Sequence, residues 1–248
     1  YLLKLCNRPK FFWATELVSR NRDQDILLKS NLFDHIFVHS DDCKSRIIQN
    51  KWIEDDKLTV MLNGFDANIH NKMDTPKDID VLFVGSMLPR REKILNELKT
   101  HFKIKICSVF GDEMSKLLNR SKIVLNIHSE EFLDTETRMF EALGCGAFVI
   151  SEKLGNENPF IPEKHYIEVA NIENMKNKII HYLNNQVERE NISKNGYEEA
   201  MENHSYQTRA HEFINQFNRH INKSTLPAFS KNKLAFFSKI EKVTNNFR

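Results

Sequence analysis

The sequence is poor in glycine, proline and cysteine, with seven, six and four of each among its 248 residues. So little glycine and proline excludes collagen-like and low-complexity chains. The cysteines, Cys6, Cys43, Cys107 and Cys145, form no Cys-x-x-Cys pair and lie among apolar residues. This favours free thiols in a reducing, cytoplasmic compartment. No apolar run approaches the roughly 18 residues of a membrane span. These absences indicate an ordinary globular protein.

Charge of neither sign dominates, since 36 lysines and arginines oppose 34 acidic residues for a formal charge of +2. That balance excludes a polycation and a polyacidic disordered tail. The exception is 219–248, where seven basic residues and four phenylalanines accompany one acid, Glu241. This basic tail suits peripheral contact with the inner face of an acidic membrane. We favour instead an amphipathic helix packed on a neighbouring domain, and we expect no nucleic-acid partner.

Short apolar runs alternate with helical segments from residue 79 onward. The predicted strands cover 79–85, 103–111, 122–128, 147–151 and 166–169. Several runs are apolar throughout, as expected of strands covered on both faces. The alternation predicts βαβ units and a doubly wound parallel sheet of the α/β class.

The segment before residue 79 repeats this pattern more briefly. Strands are predicted at 11–14, 35–40 and 57–66, with a helix over 41–52. The composition of 67–78 is that of a linker. After 172 the apolar spacing predicts three helical segments.

Ligands of an open parallel sheet bind beyond the carboxyl ends of its strands, which directs attention to the loop from 85 to 91. Gly85 permits a tight turn, and Pro89 suits the first turn of a helix. Free amides at that helix start, beside Arg90 and Arg91, would bind a phosphate. The alternative is a plain turn with exposed arginines, since the loop matches neither common phosphate-binding motif.

A second informative stretch, 128–151, contains a predicted helix that begins near Glu136, capped by Asp134 or Thr135. Thr137, Arg138 and Glu141 share one face of that helix. Glu141 would accept hydrogen bonds from ribose hydroxyls while the helix start meets a diphosphate. In the alternative interpretation, Arg138 and Glu141 form only a surface ion pair.

The run TETRMFEALGCGAFVIS resembles the nucleotide-sugar signature of group 1 glycosyltransferases. Its Arg-x-x-Glu-Ala pattern, with FVGS upstream, is most similar to the spore-maturation, CgeB-like branch. FDHIFVHSDDCKS followed by LTVMLNGFD resembles the end of the family's N-terminal domain and its linker. The resemblance covers about residues 11–215.

The resemblance implies a GT-B fold of two Rossmann-like domains facing across a cleft. Residues 1–70 would be a partial, acceptor-side domain, because Tyr1 stands in what reads as the middle of a domain. Residues 71–205 would bind the donor, and 206–248 would return to the first domain.

The resemblance also implies metal-independent transfer of a hexose from a nucleoside diphosphate sugar, usually with retention and with no further cofactor. The acceptor would be a glycan, a lipid-linked molecule or a protein, as in polysaccharide biosynthesis. Glu141 would hold the ribose, and Arg90 or Arg91 would neutralise the diphosphate leaving group. With Gly85, Thr137 and Arg138, these residues form the predicted donor site.

One departure from the family concerns an acid eight residues before the matched glutamate, where this sequence has Leu133. Glu130, Glu131 and Asp134 are close but out of register. His128 and Glu16 follow predicted strands and are the candidate catalytic residues. They could equally be a loop histidine and a helix-start acid.

Two other functions fit the same pattern. One is a non-catalytic nucleotide- or sugar-binding subunit of a glycosylation complex, motivated by Leu133 and the short first domain. The other is a flavodoxin-like regulatory module, although its usual acidic cluster is not evident.

Overall fold

The computed structural model describes residues 8–15, 23–129 and 134–221. Its strands are β1 (Phe11–Ala14), β2 (His35–Val38), β3 (Leu58–Val60), β4 (Ile79–Val84), β5 (Ile104–Cys107), β6 (Ser121–Asn126), β7 (Val149–Glu152) and β8 (Ile167–Val169). Its helices are α1 (Asp23–Lys29), α2 (Asp41–Gln49), α3 (Pro89–Lys99), α4 (Gly111–Arg120), α5 (Thr137–Gly144), α6 (Ile172–Asn184), α7 (Gln186–Asn203) and α8 (Tyr206–Ile221), with a 3₁₀ turn at Asp55–Lys57.

The described strands form two parallel sheets. The first has the order β1-β2-β3, with Ile36 of β2 opposite Phe12 and Leu58. The second has the order β5-β4-β6-β7-β8, and the chain reverses direction across the sheet between β4 and β6. The predicted parallel α/β class is confirmed.

The central strands of the second sheet are buried on both faces, which explains their unbroken apolar sequence. Along β4, Leu82 and Val84 belong to one hydrophobic cluster, whereas Val81 and Phe83 belong to another. Helices cover both faces, and the carboxyl ends of the strands stay free to carry a site.

The first sheet is shorter than the sequence suggested. The strand predicted over 57–66 ends at Val60, because only the amide of Met61 reaches β2, donating to Val38 O at 2.8 Å. Beyond it, Phe65 pairs with Ser205 in an isolated parallel bridge. The Phe65 ring is fully buried against α5, where a Cβ on Gly144 would lie 2.4 Å from it. The close approach therefore requires glycine at 144.

Helix α8 lies against the first sheet through aromatic contacts. The ring of Phe217 is 4.6 Å from that of Phe11, and the ring of Phe213 is 5.1 Å from that of Phe37. The chain thus crosses between the sheets twice, near 61–67 and near 204–206. The domain limits at 70 and 205 remain predictions. No helix within the described residues has the length and apolar character to cross a bilayer. The basic tail after 221 lies outside those residues.

Candidate active site

A cleft of about 410 Å³ opens where the carboxyl ends of the two sheets meet. Thr15, His39 and Asn63 line it from the first sheet. Gly85, Arg91, Glu136, Thr137, Arg138 and Glu141 line it from the second, with Phe110 at its edge. Each follows a strand end or lies on the helix that comes next, which is where an open parallel sheet binds ligands.

Gly85 makes the turn out of β4 in a conformation that favours glycine, with φ of +152°. Its amide donates to Cys107 O at 2.9 Å, which ties the turn to β5. A Cβ here would stand 3.1 Å from Arg138 Nη2 and 3.4 Å from the ring of Phe83. Glycine therefore lets the Arg138 guanidinium lie directly over the loop.

Arg91 and Arg138 bring two permanent positive charges to the cleft. Arg91, in the first turn of α3, donates from Nε to Ile127 O at 2.8 Å. Arg138, in the first turn of α5, donates from Nη1 to Asn126 Oδ1 at 3.2 Å, and its guanidinium lies 5.1 Å from the Phe83 ring centroid. Both guanidiniums also donate to Glu136, at 2.9 and 2.8 Å.

Glu136 is held as an anion at the floor of the cleft. Burial by itself raises the pKa of this carboxyl, but the charges of Arg138, His128 and Arg91 lower it to about 2. Two of these neighbours are permanent cations, so the carboxylate is ionised throughout the physiological pH range.

Of the two adjacent arginines proposed for phosphate binding, Arg91 lines the cleft and Arg90 points elsewhere. Arg90 forms a two-pronged ion pair with Glu152 at 2.8 and 2.5 Å and donates to His128 O at 3.0 Å. These contacts anchor α3 to the ends of β6 and β7. The geometry therefore favours Arg91 and Arg138 as the anion-binding pair.

Glu141 lines the cleft one turn along α5 from Arg138, and Thr137 lies beside them. Burial raises the pKa of Glu141, while the charge of Arg138 acts in the opposite direction. Its Oε1 is 3.8 Å from Nε2 of the buried His70. The guanidinium of Arg138 donates to Glu136 and Asn126, so the surface ion pair between Arg138 and Glu141 that the sequence suggested is not the arrangement here.

Of the two predicted catalytic residues, His128 lies within the described residues and Glu16 does not. His128 is buried behind Glu136: its Nε2 pairs with Lys153 O at 2.8 Å, and its Nδ1 is 3.5 Å from Glu136. Burial lowers the pKa of His128, but Glu136 and Asp134 outweigh it, so the net direction is upward. His128 is not among the residues that line the cleft. Glu16 lies outside the described residues, next to Thr15, which does line it.

Helix α5 starts one residue later than expected, and its cap differs. The N-cap is Glu136, whose side chain makes no capping bond. Asp134 instead faces His39, and Thr135 is held by Glu157, which accepts from its amide at 3.1 Å. Both predicted caps are thus engaged in other contacts, so the cap prediction is wrong.

Two polar residues of the site were missed by the sequence reasoning. His39 directly follows β2, and Asn126 is a buried amide that ends β6, directly after the apolar residues 123–125. A polar side chain at the end of a buried strand is a signal that could have identified both residues. The sequence suggested Asp134 as a helix cap and as an acid out of register with the family position, but not its contact with His39.

A metal ion was not expected at this site. His128, Asp134 and Glu136 nevertheless place one donor atom each within 4.8 Å of one another, and they form the one such group among the described residues. Both oxygens of Glu136 accept from Arg91, and Arg138 adds a third bond. The negative charge of Glu136 is therefore already neutralised by two arginines, and its oxygens already accept hydrogen bonds at the positions where a metal ion would have to bind.

Comparison with known proteins identifies the family. Residues 69–215 match the family described as Glycosyl transferase-like. The chain belongs to this glycosyltransferase-like family. A curated relative, uncharacterized protein L140 of Acanthamoeba polyphaga mimivirus, is 31% identical over 80 residues, which are 31% of this chain and 25% of that protein. The match thus spans a quarter of the relative's length.

Solved structures show the fold. HepE of Anabaena, in complex with UDP-glucose, superposes with a TM-score of 0.68 and 14% identity, over 86% of this chain and 72% of its own. Sucrose-phosphate synthase of Thermosynechococcus elongatus superposes with a TM-score of 0.61 and 14% identity, over 86% of this chain and 68% of its own. TarM superposes with a TM-score of 0.62 and 16% identity, over 85% of this chain and 50% of its own. The protein therefore has the GT-B fold that the resemblance implied.

Proposed function

We propose that the protein transfers a hexose from a nucleoside diphosphate sugar to a glycan, lipid-linked or protein acceptor. The supporting observation is that Arg91, Arg138 and Glu141 line one cleft at the strand ends. Two guanidiniums suit a diphosphate, and a carboxylate suits the hydroxyls of a ribose. HepE, a structural neighbour, was crystallised with UDP-glucose.

The spacing along α5 matches the donor's own layout. Arg138 and Glu141 are three residues apart, so they lie about 4.5 Å apart along the helix axis. Phosphate and ribose are adjacent in a nucleoside diphosphate. A diphosphate at Arg138 and the Gly85 turn therefore brings the ribose diol toward Glu141, which as a carboxylate accepts both hydroxyl protons.

Transfer breaks the bond between the sugar and the diphosphate, and negative charge develops on the leaving phosphate. Arg91 and Arg138 are fixed before the donor arrives, so they would stabilise that charge without reorganisation. This is the task that a metal ion performs in other enzymes. It supports a metal-independent mechanism that needs no further cofactor.

The sugar would lie toward His39 and Asp134, which line the cleft and contact each other at 3.6 Å. Asp134 would then be the acid nearest the sugar in place of the one that the family has at the position of Leu133. The acceptor would enter from the side of Thr15, where Glu16 remains a candidate catalytic residue.

Finer assignments rest on sequence features alone. The Arg-x-x-Glu-Ala pattern supports the CgeB-like branch, and the resemblance to group 1 glycosyltransferases implies retention of anomeric configuration and a role in polysaccharide biosynthesis. Scattered thiols support a cytoplasmic location. The basic tail supports peripheral contact with an anionic membrane.

The test is transfer or hydrolysis with a panel of UDP-, GDP- and dTDP-sugars, with Glu141→Ala and, as a control, the exposed Glu198→Ala, whose partner is Lys194 on α7. We expect turnover of one donor by the parent protein and the control, and loss in Glu141→Ala. Full activity of Glu141→Ala would remove the site assignment. Nucleotide binding without turnover would favour the non-catalytic subunit.

A further inference from the structure

The carboxylate of Glu136 is shared by the two guanidiniums that line the cleft. Arg138 Nη2 donates to Glu136 Oε2 at 2.8 Å, and Arg91 Nη2 donates to both oxygens at 2.9 and 3.2 Å. The side chains of Arg91, Arg138 and Glu136 are only 7%, 11% and 15% exposed. The single negative charge of Glu136 therefore neutralises one of the two positive charges that an anion would meet at Arg91 and Arg138.

The position of Glu136 in α5 is unusual for an acid at a helix start. It is the N-cap residue, yet its carboxylate makes no bond to the helix amides. A carboxylate at a helix start is ordinarily stabilised by the free amides of the first turn. Here it is drawn instead to the guanidiniums, with Nδ1 of His128 3.5 Å away. The Met139 amide donates to the backbone oxygen of Glu136, but the amides that precede it in α5 and part of the guanidinium charge are left for another anion.

We propose that Glu136 is an internal counter-anion that limits how tightly the cleft holds a diphosphate, and that it weakens binding of the free diphosphate product more than binding of the sugar donor. This inference rests on the proposed function. Glu136 would act through the two guanidiniums that it accepts from, and so would influence specificity and product release rather than the chemical step.

The sugar donor and the free diphosphate product differ in charge. In the donor, the diphosphate is esterified at both ends, whereas the free product has a terminal phosphate with a second pKa of about 6 and so carries more negative charge at neutral pH. The attraction between site and ligand scales with the product of their charges and is strong in a water-poor cleft. An anion fixed beside the two arginines therefore penalises the product most.

The test uses Glu136→Gln, which removes the charge and keeps the size, and Glu136→Ser, which removes the charge and supplies a favoured N-cap to α5. UDP, GDP, dTDP, inorganic pyrophosphate and UDP-glucose are titrated by calorimetry into the parent protein and into each folded variant. We expect UDP and pyrophosphate to bind at least about tenfold more tightly than to the parent protein, and UDP-glucose to gain less. The affinity of the variants should also fall more steeply with salt.

Asp78→Asn is the matched control. Asp78 forms a similar two-pronged pair with Arg120, at 2.8 and 2.5 Å, but it directly precedes β4 and so lies at the opposite end of the sheet from the cleft. This variant loses the same charge, and its affinities should match those of the parent protein.

Three results would overturn a claim. If a folded Glu136 variant binds UDP no more tightly than the parent protein, Glu136 is not a counter-anion, and the proposed function stands. If UDP and UDP-glucose gain equally, the preference between product and donor is refuted. If neither the parent protein nor the variants bind UDP, GDP or dTDP, the proposed function itself fails.

Discussion

His39 Nε2 lies 3.6 Å from Asp134 Oδ2 and so joins the end of β2 to the segment that precedes α5. The two side chains are only 3% and 13% exposed, and Cys43 Sγ is 3.7 Å from the same ring nitrogen. Burial lowers the pKa of His39, but Asp134 and Cys43 outweigh it and raise the pKa to about 10. The contact therefore links the two sheets across the cleft with a protonated histidine.

This contact predicts a stability that depends on pH. Because the folded-state pKa lies above the ordinary value of 6.5, the stabilisation is complete below pH 6.5 and is lost as the pH rises through about 10. A hydrogen bond to a charged group contributes about 1.5–3 kcal/mol. When the pH is raised from 6.5 to about 10, we expect the Tm of the parent protein to fall by about 3–10 °C more than the Tm of His39→Gln.

The comparison is made by thermal unfolding of both proteins over the same buffers, so that the titration of all other groups cancels. Asp134→Asn should flatten the profile as His39→Gln does, and the double variant should show no further change. Parallel pH profiles for the parent protein and His39→Gln would contradict the prediction.

Glu141→Gln tests the ribose contact. The amide keeps the size of the side chain, but it loses the charge that strengthens the two hydrogen bonds. We expect UDP to bind about tenfold to a hundredfold more weakly and pyrophosphate to lose no affinity, because pyrophosphate has no ribose and the substitution removes a negative charge near Arg138. Calorimetry with UDP and 2′-deoxy-UDP on the parent protein and on Glu141→Gln forms a thermodynamic cycle, which measures the coupling between Glu141 and the 2′-hydroxyl. If removing the 2′-hydroxyl costs as much in Glu141→Gln as in the parent protein, Glu141 does not contact it.

Gly85→Ala should reduce both stability and donor affinity. The strained backbone costs about 1–3 kcal/mol, which lowers Tm by about 2–10 °C. In addition, the new Cβ would press on Arg138 Nη2, 3.1 Å away, and displace it. Gly146→Ala is the control, since φ is also positive at +66° while the nearest atom is a flexible Lys72 carbon at 3.4 Å. Both variants should lose stability, but only Gly85→Ala should lose affinity for pyrophosphate. If Gly85→Ala and Gly146→Ala bind pyrophosphate with the same affinity, the Gly85 turn does not position Arg138.

The sequence predicted the sheets well because short, unbroken apolar runs in a globular protein are typical of buried strands.

The roles of Arg90 and Arg91 could not be predicted from the sequence. Adjacent residues on a helix point about 100° apart, so one faces the cleft and one faces Glu152, and the sequence does not say which. The contact between His39 and Asp134 joins residues far apart in the chain, and only the folded arrangement reveals it. Glu136 was read as a helix-start residue because its attraction to two arginines depends on the meeting of α3 and α5.

Removal of metal ions should leave the activity unchanged. Arg91 and Arg138 already supply the charge that a metal would bring, and both are engaged with Glu136. Donor turnover is measured after dialysis against EDTA and again with Mg²⁺ or Mn²⁺ restored. Activity that is lost with EDTA and recovered with metal would refute metal independence and direct attention to the group of His128, Asp134 and Glu136.

Phe110 should bind the base of the donor. It precedes α4 at the edge of the cleft and is 80% exposed, although an aromatic ring is usually buried. Stacking of a base on an aromatic side chain contributes about 1–3 kcal/mol, so Phe110→Ala should bind UDP about fivefold to a hundredfold more weakly. Pyrophosphate affinity should not change, and stability should hardly change, because the ring packs on little. Ile180→Ala, at an exposed position on α6, is the control for loss of apolar surface. If UDP affinity is unchanged in Phe110→Ala, or if pyrophosphate affinity falls by the same factor, the base lies elsewhere.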